Sequence, residues 1–184
     1  GRRAGGRCDT APGVSSPAPS PAPGPYWLVR ARPAAALDLP LVQVSALLAR
    51  LGQAERHAVA EDLLRLVGAQ VPLAQCTIFA FEAGRRPAIV AVGDRSRTQE
   101  LPLIAEAYVN RFHRLDGSAA VMQAELAAAQ RAGAAEPRIL LHRQRGADIA
   151  HAEYRRRCYE QPQVAERLAV LALYEGRRWL SVNL

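Results

Sequence analysis

The 184-residue chain is 49% hydrophobic and 22% charged, the balance of a globular domain rather than of a disordered or fibrous chain. Its formal net charge is +7, and all 24 basic residues are arginine. Five of these lie within residues 1–40 against Asp9 and Asp38 alone, and the excess left over residues 41–184 is too dilute for the concentrated basic face of a nucleic-acid-binding domain.

Cys8, Cys76 and Cys158 are odd in number and widely spaced, without a Cys-x-x-Cys, which argues against a disulfide framework or a zinc site. Cys76 and Cys158 read as small buried hydrophobes. Arg2-Arg3 lacks the apolar stretch that twin-arginine export requires, and Arg30, Arg32 and Pro33 interrupt the segment from Tyr26 to Leu37. No run approaches the ~20 apolar residues that span a bilayer. A cytoplasmic protein without membrane contact is expected. The chain opens on Gly1 and stops inside an apolar run, so both ends read as cut from something longer.

Residues 1–40 are rich in Pro and Ala, as in Pro17-Ala18-Pro19-Ser20-Pro21-Ala22-Pro23, and read as a disordered leader. Tyr26, Trp27 and Leu28 are candidates to tack its end onto the domain. The folded part is expected over 41–184. Leu41, Val44, Leu47, Leu48 and Leu51 repeat at helical spacing up to Gly52. A second helix over about 54–70 carries Val59, Leu63, Leu66 and Val67. Cys76 to Phe81 reads as a buried strand, and Ala88 to Val92 as its hairpin partner.

Thr98 is placed to cap a helix with the stripe Ile104, Tyr108, Val109 and Phe112, stopping near Leu115-Asp116-Gly117. Ser118 is expected to cap a helix over 119–131. Arg138 to His142 is a third strand, and Asp148 is expected to cap a short helix over 149–159 that ends at Pro162. Leu168–Tyr174 and Trp179–Leu184 form a last hairpin across Glu175-Gly176-Arg177. Within it Leu180, Val182 and Leu184 alternate with Trp179, Ser181 and Asn183, one set facing core and the other a groove or solvent. The sum is an α/β (α+β) fold with a five-stranded, mostly antiparallel sheet and helices on its faces.

Chemistry-bearing patterns are scarce. The histidines are His57, His113, His142 and His151, with no His-Glu-x-x-His. His142, Asp148, His151 and Glu153 are close in sequence, but their spacing does not aim them at one point, so no metal is expected. No Gly-x-Ser-x-Gly, Walker loop or Gly-x-Gly-x-x-Gly is present, and no cofactor or catalytic residue is assigned. Gly84-Arg85-Arg86 and Gly176-Arg177-Arg178 are hairpin tips, either solvated turns or contacts to phosphate or an acidic partner. Arg155-Arg156-Arg157 reads as a solvated helix, with Glu153 and Glu160 at ion-pairing distance along it. A small-molecule pocket between sheet and helices would draw on Phe79, Phe81, Tyr108, Phe112, Asp116 and Trp179.

Five segments resemble the N-terminal domain of LuxR-type helix-turn-helix transcriptional regulators. They are Tyr108-Val109-Asn110-Arg111-Phe112-His113-Arg114-Leu115-Asp116; Leu141 to Arg145 with Asp148-Ile149-Ala150-His151; Glu153 to Tyr159; Arg167-Leu168; and Trp179-Leu180-Ser181-Val182-Asn183-Leu184. The element order also resembles GAF and PAS-like sensor domains. The resemblance implies a sensor domain that takes a small-molecule effector, dimerises, and acts on DNA through a C-terminal helix-turn-helix absent from these residues. A stand-alone GAF-like binding or dimerisation module is the alternative. Members that bind acyl-homoserine lactones carry Trp-x3-Tyr-x8-Asp-Pro, and aligned on Asp116 this chain has Leu103, Ala107 and Gly117 at the other three positions. That departure gives no ground for inferring the lactone.

Overall fold

A computed structural model describes residues 26–29, 40–50, 56–95, 100–133, 138–175 and 177–184. The rest of the expected leader, Gly52 as a helix stop, Thr98 as a cap and Gly176 at the last hairpin tip lie outside the described residues. In chain order the elements are β1 (Tyr26–Val29), α1 (Leu41–Arg50), α2 (Arg56–Val67), β2 (Gln75–Glu82), β3 (Ala88–Asp94), α3 (Glu100–Ala107), α4 (Gly117–Ala132), β4 (Arg138–Arg145), α5 (Ala152–Arg155), β5 (Glu166–Tyr174) and β6 (Arg178–Asn183).

The fold is α+β. One antiparallel sheet runs in the order β1-β4-β5-β6-β2-β3, six strands rather than the expected five. The added strand, β1, lies inside the stretch read as leader. Tyr26 to Val29 pair with His142 to Ile139, so the aromatic end of the Pro-rich segment closes one sheet edge. Short range pattern could not reveal this, because the partner strand is more than a hundred residues away.

Helices cover both faces. On one, Ala60 and Leu64 of α2 pack on Cys76, Ile78 and Ala91, and Leu180, Val182 and Leu184 adjoin that cluster. On the other, α3 and the turns after it cover Phe79 and Val92, while α4 covers Leu140, Leu171, Leu173 and Trp179. Both faces of β6 are therefore packed, and the more deeply buried set is Trp179, Ser181 and Asn183. The groove expected on one face opens at the Trp179 end of this strand, while Ser181 and Asn183 on the same face are buried beneath the helices.

α2 sits unusually close to β3. A Cβ built on Gly93 would stand 2.9 Å from the Ala60 carbonyl carbon, so only glycine admits this approach. β3 is a sheet edge, and Val92 N–H donates to His57 Nδ1 across 3.2 Å, satisfying a group that edge strands otherwise leave open.

The helix boundaries differ from expectation in instructive ways. The stripe Ile104, Tyr108, Val109 and Phe112 is buried as its spacing implies, but α3 widens into a π-helical turn over Tyr108–Phe112. Asp116, not Ser118, caps α4: its backbone is extended and its carboxylate accepts the Ser118 N–H at 2.8 Å. Gly133, at φ 60°, closes the same helix in the left-handed conformation glycine tolerates best. Asp148 closes a 3-10 turn (Gly146–Asp148), and it is His151 that caps α5 by accepting the Tyr154 N–H. A second π-helical turn, Arg156–Glu160, extends α5.

Candidate functional site

Asp116 is the hub of the interior. It leaves the turn after α3 with its side chain 0% exposed, where an unpaired carboxylate would be very costly. Arg167, projecting from β5, meets it in a bidentate fork, Nη2 to Oδ1 at 2.8 Å and Nη1 to Oδ2 at 2.7 Å. The hydroxyls of Tyr108 and Tyr154 donate to Oδ2 at 2.8 and 3.2 Å. Gln144, opposite Arg167 in the β4–β5 ladder, accepts from the guanidinium and from the Tyr159 hydroxyl. Ser118 Oγ accepts from Arg167 at 3.3 Å and lies 2.8 Å from His142 Nδ1.

The electrostatics follow from this packing. Burial works to raise the pKa of Asp116, but the Arg167 charge and its hydrogen bond, with those from Ser118 and Tyr108, outweigh it and hold the carboxyl well below its usual range. Burial first, and the Asp116 charge second, push the Tyr108 and Tyr154 phenols far above their usual value. Burial, reinforced by the Arg167 charge, lowers His142 from 6.5 to about 4, so the imidazole is neutral at pH 7. Each network member is thus fixed in one protonation state at neutral pH.

The Ser118–His142 pair has two of the parts of a nucleophile and its base. The third is missing: His142 Nε2 is buried with no hydrogen-bond partner among the described residues, and Asp116 is committed to Arg167 and the α4 N-terminus. Among the described residues no three of His, Cys, Asp and Glu sit close enough to hold a metal ion.

One side of the hub opens into a cleft of about 920 Å³, within the size range of small-molecule sites. Phe81, Trp179 and Asp116 face it from the sheet and the α4 cap, and Ala119, Ala120, Met122 and Leu126 of α4 form an apolar wall. The β2–β3 hairpin tip, the turns after α3 and the β5–β6 tip form the rim. Five arginines (Arg85, Arg86, Arg111, Arg114 and Arg177) line the cleft against two carboxylates, Glu82 and Asp116. His113 also lines it; burial and then the Arg114 charge lower its pKa. Trp179 is only 4% exposed, and its Nε1 has no hydrogen-bond partner among the described residues. An unsatisfied buried donor costs about 1–3 kcal/mol.

The residues expected to line a pocket divide into two groups. Phe81, Asp116 and Trp179 border the cleft. Phe79, Tyr108 and Phe112 do not: they stack within the apolar cluster beneath it, with Phe79–Tyr108 ring centroids 4.8 Å apart. Tyr108 still reaches the site through its hydroxyl on Asp116. Arg167, Tyr154, Tyr159, Gln144, Ser118 and His142 were not singled out from sequence as site residues. An arginine at the head of an apolar strand run, Arg167 before Leu168-Ala169-Val170-Leu171, is the signal that marks its position.

No family model matches the chain, and no curated protein matches it. Among solved structures it is similar to the crystal structure of the VqsR LBD domain from Pseudomonas aeruginosa, at 15% identity and a TM-score of 0.43, over 78% of this chain and 77% of that one. A likeness at that level is one of outline, and no residue role passes across it.

Proposed function

We propose that this chain is the regulatory sensor domain of a LuxR-type DNA-binding regulator, working in the cytoplasm without catalysing a reaction. One observation carries the reading. The five segments that resemble the family, scattered from Tyr108 to Leu184, converge on a single place: Tyr108, Asp116, His142, Tyr154, Tyr159, Arg167 and Trp179 all belong to the hub or the cleft beside it. A sensor needs a cavity coupled to the packing of several elements. Here an occupant of the cleft would touch the α4 cap, the turns after α3 and both hairpin tips at once, which is how a ligand's differential contacts bias a conformational equilibrium. DNA would be engaged by a helix-turn-helix module downstream.

Translating the reading frame beyond Leu184 tests this. An in-frame helix-turn-helix supports it; a stop codon directly after Leu184 contradicts it. The alternative, a stand-alone GAF-like module that binds a ligand or dimerises, is favoured by α1, which buries none of its side chains and exposes Leu41, Val42 and Leu48. A homodimer seam along α1 is compatible with both readings. Sedimentation of the full chain as a dimer, reduced to monomer by Val42→Glu, is the expected result, and a strict monomer removes the seam.

A further inference from the structure

We propose that the cleft beside Asp116 binds a small organic anion, its acidic group held by Arg86, Arg114 and Arg177 and its apolar body lying on Trp179, Phe81 and the α4 wall; this rests on the sensor reading and specifies its ligand class. The cationic rim is only partly compensated. Glu82 is already engaged by Arg85 at 3.2 Å and by Arg178 at 3.8 Å, and Asp116 is neutralised by Arg167. Arg111 is paired with Glu153. Arg86 is held only by the neutral amide of Asn110, and Arg114 and Arg177 have no carboxylate partner among the described residues. Three guanidiniums from three separate elements thus face one cavity, and guanidinium geometry suits carboxylate, phosphate or sulfonate.

The second, independent observation lies at the sheet wall. Trp179 is buried and lines the cleft, yet its indole N–H meets no acceptor among the described residues. Ala119, Ala120, Met122 and Leu126 supply the surface for an apolar body, so a bare inorganic anion would leave most of the cavity unused. The two double-arginine hairpin tips noted in the sequence thereby acquire a shared role: each places a guanidinium without a carboxylate partner among the described residues, Arg86 and Arg177, on the same rim.

The test uses the full chain carrying Trp27→Phe, which leaves Trp179 as the only tryptophan. Two probes differ by one charged group: 1-anilinonaphthalene-8-sulfonate and its uncharged parent, N-phenyl-1-naphthylamine. Energy transfer from Trp179 reports each binding event. The sulfonate is expected to bind at least tenfold more tightly than the parent, an advantage that Arg114→Gln with Arg177→Gln removes while the parent's affinity stays the same. Equal affinities for the two probes, or an advantage that survives the double substitution, overturns the anion assignment and leaves a cleft for neutral ligands. Failure of both probes to accept energy from Trp179 overturns the cleft as a small-molecule site, and the sensor reading with it.

Discussion

Asp116 keeps its charge in an interior position because every oxygen lone pair aimed inward has a donor. The same completeness makes the hub fragile. Asp116→Asn leaves the Arg167 guanidinium buried without its counter-charge, and breaking a buried pair from one side costs about 3–5 kcal/mol. Chemical denaturation should register that loss. Arg167→Gln should cost a similar amount, and the double variant should lose clearly less than the two single losses together, since each removes the charge the other leaves stranded. His142 gives the hub a signature in pH. Its folded pKa of about 4 lies below the ordinary histidine value of 6.5, so the unfolded chain takes up a proton that the folded chain refuses. Stability is then full above about pH 6.5 and falls as pH drops toward 4, by about 3 kcal/mol for this group. Asp116, whose folded pKa is depressed, adds its own loss only as pH falls below the ordinary carboxylate range. The slope between pH 6.5 and 4 in a melting series should flatten in His142→Gln, and a His142 NMR titration midpoint near 6.5 would contradict the assignment.

At the scale of elements, the spacing of apolar residues revealed α1, α2, the two hairpins and the buried stripe of α3, because each of these is a local periodic pattern. Three features escaped it for a common reason: they are set by partners distant in sequence. β1 exists because β4 offers Ile139 to His142 an edge to pair with. The π-helical turn over Tyr108–Phe112 adds a residue to the helix beside the hub, and no propensity encodes that. The cap of α4 shifts from Ser118 to Asp116 because Ser118 is drawn inward toward His142 and Arg167. The contact of α2 with β3 offers the sharpest test at this scale. Gly93→Ala pushes a methyl into the Ala60 backbone, and overpacking of that kind costs about 1–3 kcal/mol. A lowered melting temperature with faster hydrogen exchange in α2 is the expected outcome; an unchanged melting temperature would mean that α2 sits further from the sheet.

For the molecule as a whole, the fold class was legible and the site only partly so. Antiparallel hairpins at both ends of the folded part imply the sheet, whereas the hub assembles from α4, α5, β4, β5 and the turn after α3. Several of its members carry no chemical signature until folding joins them: Tyr154 reads as core, Ser118 as a helix cap, and Arg167 stands out only as a charge at the head of an apolar run. Asp116, Phe81 and Trp179 were legible because an acid at a helix boundary and aromatics on central strands stand out against their neighbours. Phe79, Tyr108 and Phe112 have that same composition and became core, since sequence does not tell a filled space from an empty one. The central claim is that the cleft beside Asp116 is where a ligand binds, and filling it with protein tests that directly. Ala120→Trp places an indole in the space between α4 and the rim. Melting temperatures of the full chain and of this variant, screened against one set of small organic acids, should show compounds that stabilise the former and leave the latter unmoved. Compounds that stabilise both equally would place the binding site elsewhere.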